Sequence, residues 1–255
     1  MTGPAAILVA AVFGAIVGSF LNVCIYRLPL GQSVVWPSSA CPHCKRSLAW
    51  FENLPVVSYL VLWGRCRTCR HPISGRYPLV EALTALMCAA AWWYYGPGAL
   101  VFSRLLFGCA LIVLFAIDLE HHLLPNVITL PGMAAGFALS FVCGPGWLDS
   151  LFGIMVGGGV LYGIAELYYR VRHEEGLGMG DVKMLAMIGA FIGWKLTLVT
   201  LMMASFAGSL VGVALMVAHK GGMKYALPFG TFLALGAALA ATTGQGILDW
   251  YLRFW

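Results

Sequence analysis

Charged residues are scarce in this sequence. Only 10% of its 255 residues are Asp, Glu, Lys or Arg, whereas 61% are hydrophobic. One water-soluble core of this length cannot bury so much apolar surface, so the composition excludes an ordinary soluble domain and predicts a membrane protein. Low-complexity tracts, disordered linkers and repeats of solenoid period are also missing, which leaves a helical membrane domain and its loops.

Acidic residues are fewer than basic ones, ten against fifteen, and the net charge is +5. In a soluble protein this excess would suggest a nucleic-acid partner. If the 27–78 loop is cytosolic, however, every Lys and Arg except Arg104, Lys195 and Arg253 falls on the cytosolic side. This asymmetry follows the positive-inside rule, so it indicates topology, predicts no nucleic-acid partner and orients the amino terminus outward.

Apolar runs long enough to cross a bilayer recur along the chain, at about 20 residues for each span. The eight predicted spans are 5–26, 79–95, 99–117, 127–143, 148–169, 182–198, 200–218 and 228–248. The last part of the sixth and the start of the seventh surround Gly193-Trp194-Lys195, where we predict a tight helical hairpin because an unbroken run would far exceed a bilayer.

The predicted fold is therefore an all-α polytopic membrane protein with about eight transmembrane helices and a small cytosolic loop module. We divide it into a first transmembrane helix (1–26), a tetracysteine loop (27–78) and a transmembrane domain of about seven helices (79–255). The first apolar run ends in Arg27-Leu28-Pro29 rather than in small residues, so we expect an anchor and not a cleaved signal peptide.

Four cysteines lie in the only long polar stretch, as two Cys-x-x-Cys knuckles: Cys41, Cys44, Cys66 and Cys69. Two such knuckles are typical of tetrahedral zinc ribbons, and four thiolate ligands leave no position for water, so the predicted zinc is structural. Redox motifs or disulfides are the alternative, which a cytosolic location disfavours. The other four cysteines lie singly in apolar runs, where a cysteine is usually a small hydrophobic residue.

Two acidic residues stand at the ends of apolar runs. Asp118 ends the third run, and Asp181 opens the sixth after Gly178-Met179-Gly180. Two spans separate them, so both are expected at the cytosolic face. Either residue alone could be a helix cap. Together they could share a proton, activate water and polarise a peptide carbonyl, which is the chemistry of an aspartic peptidase.

His121 and His122 suggest a metal site with Asp118 as an alternative. We disfavour it because adjacent residues of a helix point in different directions and no third ligand is obvious.

These features resemble the bacterial type IV prepilin leader peptidase family, which is similar to archaeal preflagellin peptidases and more distantly to Gly-x-Gly-Asp intramembrane proteases. The matching positions span nearly the whole chain and include both aspartate motifs and the tetracysteine loop. The remaining matches are Gly18 to Val23, Arg27-Leu28-Pro29, Asn53-Leu54-Pro55, Ser58-Tyr59-Leu60 and Ser74 to Glu81.

The resemblance implies that Asp118 and Asp181 are the catalytic dyad of an inner-membrane enzyme. Its substrates would be type IV prepilins or type II secretion pseudopilins, cut after Gly at the cytosolic face. Relatives with the tetracysteine loop commonly also methylate the new amino terminus with S-adenosylmethionine. No nucleotide-binding fingerprint is readable, so no residue is assigned to that cofactor. The family pattern leads us to expect Pro where this chain has Thr231, a departure that we expect to contact neither aspartate.

Two other classes of protein remain as rivals. A proton- or ion-coupled transporter would also place acids in the membrane, but near the bilayer middle and with paired broken helices. A non-enzymatic assembly protein would use the cysteine loop for docking and would tolerate loss of either aspartate.

Overall fold

The computed structural model describes residues 3–173, 178–218 and 227–253, and the regular elements in these ranges are all helical. The α-helices are α1 (Pro4–Arg27), α2 (Val57–Val61), α3 (Arg76–Tyr95), α4 (Ala99–His121), α5 (Asn126–Leu139), α6 (Trp147–Arg172), α7 (Met179–Ala218) and α8 (Phe229–Leu252). A short 3-10 helix spans Trp50–Asn53. The prediction of an all-α protein is confirmed.

Five of these helices are long and apolar enough to cross a membrane: α1, α4, α6, α7 and α8. A sixth, α5, is apolar but has only 14 residues. Every predicted span overlaps a helix, with the sixth and seventh both in α7 and the second in α3. The chain is therefore a multi-pass membrane protein, while the number of eight spans stays a prediction.

The chain divides into two compact units, Met1–Val113 and Leu114–Trp255, with the boundary inside α4. In the first unit, α1 packs against α3 through small residues. A Cβ added to Gly14 would lie 2.7 Å from the Thr84 carbonyl oxygen, and one added to Gly18 would lie 2.7 Å from the Glu81 Cα. As the residue number increases along α1, the number of the α3 residue in contact with it decreases. The two helices are therefore antiparallel and closely spaced.

The second unit is built around α7, whose backbone is not helical at Gly193 (φ 78°, ψ 168°). Before this residue α7 packs on α6, where Gly153 and Gly189 meet backbone to backbone without room for a Cβ on either. After it, Gly208 lies against Phe232 of α8, whereas Gly244, near the other end of α8, contacts Leu196.

The first half of α7 runs antiparallel to α6, and the second half runs antiparallel to α8, because residue numbers on the paired helices change in opposite senses. A Cβ on Gly180 or on Gly230 would contact Leu124, and one on Gly212 would contact Leu227, just before α8. Both ends of α7 therefore lie near the start of α8, so the direction of the chain reverses at Gly193. The hairpin predicted at Gly193-Trp194-Lys195 is confirmed. It brings the start of α7 and the start of α8 to the same end of the second unit.

Candidate active site and cysteine cluster

Asp118 lies in the last turn of α4 and is only 5% exposed. Its Oδ2 accepts a hydrogen bond of 2.8 Å from the backbone N–H of Thr231, in the first turn of α8. The first N–H groups of a helix have no partner within the helix, and the helix dipole favours negative charge at this end. The start of α8 therefore holds and orients the carboxylate of Asp118.

Gly230 makes this contact possible, because a Cβ at that position would lie 2.9 Å from Oδ2 of Asp118. The neighbouring Thr231 stands where the family pattern led us to expect Pro, and we expected this difference to contact neither aspartate. That expectation is wrong, since Thr231 supplies the N–H that Asp118 accepts. A Pro there has no backbone N–H and could not make the bond.

Asp181 lies in the first turn of α7 and is half-buried. Its backbone N–H donates to the carbonyl of Gly178, and a Cβ on Gly178 would lie 3.3 Å from Oδ2 of Asp181. Gly180 is similarly crowded, because a Cβ there would lie 3.0 Å from the Leu124 Cβ. In the Gly-x-Gly-Asp sequence, Gly178 thus leaves room for the Asp181 carboxylate, and Gly180 leaves room for Leu124.

The two carboxylates line one cavity of about 290 Å³ and are close enough to interact electrostatically. The cavity walls are Asp118, His122, Leu123, Leu124, Asn126, Gly178, Gly180, Asp181 and Lys183. Inside it, Nζ of Lys183 donates to Oδ1 of Asn126 at 3.0 Å. The structure thus brings together the two aspartates that the sequence singled out, 63 positions apart, at one end of the second unit.

Sequence reasoning did not single out Asn126 or Lys183, although each is close in sequence to one of the aspartates. His122 had been considered only as a metal ligand. Its backbone is left-handed (φ 52°), so it leaves the direction of α4 and lines the cavity together with Asp118.

The four loop cysteines form a second cluster, in the first unit. Their sulfur atoms all lie within 4.8 Å of one another, so the cluster could hold a metal ion. The two knuckles have the same backbone. The N–H of Cys41 donates to the carbonyl of Arg46, and that of Cys66 donates to the carbonyl of His71, both at 2.9 Å.

The sulfur geometry suits a tetrahedral ion. The Sγ atoms of Cys41 and Cys69 are 3.9 Å apart. Metal–sulfur bonds of about 2.3 Å in a tetrahedron place neighbouring sulfurs about 3.8 Å apart. The pKa of the Cys66 thiol is lowered to about 6, because the backbone N–H groups of Cys69 and Thr68 donate to its sulfur.

The pKa of Cys69 is raised instead, to about 11. The N–H of His71 lowers it, but burial and the sulfurs of Cys66, Cys44 and Cys41 outweigh that contact. Four crowded sulfurs cannot all lose their protons without a cation between them, so the donor set fits a thiolate-binding metal.

Fold and sites together define a multi-pass helical membrane protein with a carboxylate pair at its helix ends and a four-cysteine loop. Comparison with known proteins agrees with this class. Residues 12–95 match the family model described as the bacterial peptidase A24 N-terminal domain, and residues 105–213 match that of the type IV leader peptidase family.

Several relatives are similar along most of the chain. A prepilin leader peptidase/N-methyltransferase of Aeromonas hydrophila is 36% identical over 94% of this chain and 91% of its own length. One of Pseudomonas aeruginosa is 35% identical over 97% and 94%, and one of Myxococcus xanthus is 44% identical over 85% and 65%. No solved structure matches the chain significantly. This chain belongs to the type IV leader peptidase family.

Proposed function

We propose that this chain is a membrane aspartic endopeptidase that removes the leader from type IV prepilins or type II secretion pseudopilins. The observation that supports this most directly is the shared cavity of Asp118 and Asp181 in a member of this family. The cut follows Gly at the cytosolic face of the inner membrane, where the basic leader of a precursor and the basic loops of the enzyme both lie.

In this proposal, Asp118 and Asp181 are the catalytic residues. Paired carboxylates hold one proton between them, so the ionised one accepts a proton from water while the protonated one donates to the peptide carbonyl. The hydroxide equivalent adds to the carbonyl carbon. The C–N bond then breaks as the leaving nitrogen takes a proton from the pair and one hydroxyl of the tetrahedral intermediate returns a proton to it. The products are a carboxylic acid and an amine, and the pair again holds one proton. The start of α8 fixes the orientation of Asp118 throughout, because the N–H of Thr231 remains its donor.

We further infer that the enzyme methylates the amino terminus exposed by cleavage, as the names of its relatives indicate. S-adenosylmethionine supplies the methyl group in this reaction. For the cysteine cluster we infer zinc, bound by Cys41, Cys44, Cys66 and Cys69 as a structural ion. Elemental analysis of the purified chain should find about one zinc per chain, and none in a quadruple Cys→Ser variant.

The purified chain, incubated with a pilin-like precursor with and without S-adenosylmethionine, tests both activities. Mass spectrometry should show leader loss in both samples and one added methyl group only with the cofactor. Asp118→Asn and Asp181→Asn should each lower cleavage at least about a hundredfold, since an amide can neither share the proton nor activate water.

The matched control is Asp149→Asn. Asp149 lies in the first turn of α6, beside Gly193 and away from the cavity, so its variant should cleave normally. An Asp181→Asn protein that inserts normally and still processes precursor at near-normal rates would remove Asp181 from the mechanism.

A further inference from the structure

A buried polar cluster lies between α1 and α3 in the first unit, and the peptidase chemistry does not use it. It consists of Ser19 and Asn22 on α1, Glu81 on α3 and the backbone N–H of Val56, and we call it the Glu81 cluster. Asn22 is 2% exposed and Glu81 is 8% exposed. A carboxylate and an amide buried between two helices of a membrane protein are expensive, so a functional role is the first hypothesis to test.

The contacts within the Glu81 cluster satisfy only some of its polar atoms. Oε2 of Glu81 accepts the N–H of Val56 at 2.8 Å, and the carboxylate also accepts a hydrogen bond from the Ser19 hydroxyl. Nδ2 of Asn22 donates to the carbonyl of Tyr77 at 3.0 Å. Since Tyr77 is one helical turn before Glu81, this bond places Asn22 beside Glu81 across the helix interface.

Two polar groups of the Glu81 cluster lack a partner that would offset the cost of their burial. Oδ1 of Asn22 is buried and has no donor. Within the described part of the chain, no Lys, Arg or His pairs with Glu81. A buried acceptor without a donor costs about 1–3 kcal/mol, and an unpaired buried carboxylate costs more. When Glu81 is ionised, both groups only accept hydrogen bonds, so the ligand that suits them is a donor with positive charge.

An amino group meets these needs. An ammonium offers three N–H donors and no acceptor, so it can bond to Oδ1 of Asn22 and to the Glu81 carboxylate together. The Glu81 cluster also lies near the helix ends where the new amino terminus of a cleaved precursor is expected. Asn22 is five residues before the end of α1 at Arg27, and Glu81 is five residues after the start of α3 at Arg76. The predicted topology makes this end cytosolic.

We propose that the Glu81 cluster binds the free α-amino group of the mature pilin segment after leader removal, with Glu81 and Asn22 as its acceptors. The ligand class is a primary amine at the start of an apolar helix. The inference rests on the proposed methyltransferase activity and extends it, because it assigns residues that hold the methyl acceptor.

A purely structural role for Glu81 is the competing explanation. Val56 has a positive φ of 60° directly before α2, and the Glu81 carboxylate accepts its N–H. Glu81 could therefore serve only to anchor this turn of the loop. Glu81→Gln separates the two roles, because Gln keeps an acceptor for Val56 but has no charge for an ammonium.

The first measurement is direct binding to the full-length enzyme in the absence of S-adenosylmethionine. The probes are the cleaved product peptide of a pilin-like precursor, with a free amino terminus, and the same peptide acetylated there. The wild type should bind the free-amine peptide roughly tenfold or more tightly, as expected for a charge-assisted contact. Glu81→Gln should bind the two peptides equally.

The second measurement compares cleavage and methylation for the same proteins. Glu81→Gln should cleave within about twofold of wild type and methylate roughly tenfold or more slowly. Glu166→Gln on α6, where Glu166 is paired with Arg170 on the surface, is the matched control and should leave both activities unchanged.

If Glu81→Gln binds the peptides and methylates like the wild type, the proposal is wrong. It is also wrong if Glu81→Gln loses cleavage and methylation in parallel, because that result indicates that Glu81 only anchors the loop. If the wild type neither cleaves nor methylates, the proposed function fails instead. The binding measurement tests the amine site even if the enzyme proves inactive. The site is supported if the wild type prefers the free-amine peptide over the acetylated one and Glu81→Gln loses this preference, and it is contradicted otherwise.

Discussion

Asp118 owes its position to the residue at which another helix begins. The Asp118 carboxylate meets the first turn of α8, and the space for it exists only because residue 230 is Gly. Any side chain at residue 230 would have to push the carboxylate or the helix aside. The distance between the two aspartate carboxylates therefore depends on residue 230, which has no side chain and takes no part in the reaction.

We predict that Gly230→Ala lowers the rate of leader cleavage roughly ten- to hundredfold, because a displacement of about 1 Å at a catalytic group has effects of this size. Gly246→Ala is the control, since a Cβ at this position in the same helix meets no atom within 4 Å. Both variants are assayed for precursor processing at equal membrane levels. Equal activity of the two would mean that the start of α8 does not position Asp118.

Glu52 ties the first cysteine knuckle to the 3-10 helix. Its carboxylate accepts hydrogen bonds from Arg46 at 2.6 Å and from the N–H of Ala49 at 2.8 Å, while its side chain is 2% exposed. The bond from Arg46, followed by that from Ala49, lowers the pKa of Glu52. A lowered folded-state pKa stabilises the fold above the unfolded pKa of about 4.3, and this contribution is lost as the pH falls through the folded value.

Glu52→Gln should therefore release the zinc that we propose for the cysteine cluster to a chelator faster than wild type at neutral pH, where the Glu52 contribution is fully present. The surface variant Glu166→Gln should behave as wild type. Release is followed with a zinc-sensitive dye on the full-length protein. Identical release rates at pH 7 for all three proteins would show that the Glu52 contacts do not support the cysteine cluster.

At the scale of elements, α7 illustrates how one glycine divides a helix. A continuous helix of its 40 residues would be about 60 Å long, twice the hydrocarbon core of a bilayer. The backbone of Gly193 lies in a region of φ and ψ that only glycine occupies at low cost. A Cβ there would also lie 3.1 Å from the Cβ of Pro145.

Gly193→Ala should lower the stability of the second unit by about 1–3 kcal/mol, the usual cost of such a backbone conformation for other residues. Gly159→Ala, inside α6 with no atom within 4 Å of the added Cβ, should be neutral or slightly stabilising. Denaturant unfolding in detergent measures both. If Gly193→Ala unfolds like wild type, the reversal of chain direction within α7 does not depend on the positive φ of Gly193.

At the scale of the whole molecule, the number of spans decides which loops share a side of the membrane. With eight spans, α3 crosses the bilayer, so Lys45 and Gly98 are on opposite sides. If only the five longest apolar helices cross, these two residues are on the same side. The basic residues of the 27–78 loop favour a cytosolic Lys45 in either case.

We predict a cytosolic signal from reporter fusions at Lys45 and His122 and a periplasmic signal from fusions at Gly98, Gly146 and Arg253. This pattern follows from eight crossings with both ends of the chain outside. Expression of each fusion is checked by immunoblot, so that a missing signal is not mistaken for a location. A cytosolic signal at Gly98 together with one at Lys45 would reduce the number of spans.

Much of the molecule is predictable from local sequence. Apolar runs of bilayer length predict the helices, because each helix satisfies its own backbone hydrogen bonds in lipid and needs no partner to do so. The Cys-x-x-Cys spacing similarly predicts the sulfur cluster, since each knuckle is a turn of a few residues. Even the reversal at Gly193 follows from length, because a run of that size cannot cross only once.

The sequence by itself singled out the two aspartates and four cysteines to which we assign the chemistry, whereas the tertiary structure decided what surrounds them. Thr231 and Asp118 are 113 positions apart, and no spacing rule relates them. Their contact depends on how α4 and α8 pack, as the pairing of Asn22 with Tyr77 depends on α1 and α3. Hydrogen bonds between distant helices form only once the packed helices bring their ends together, so a local pattern cannot contain them.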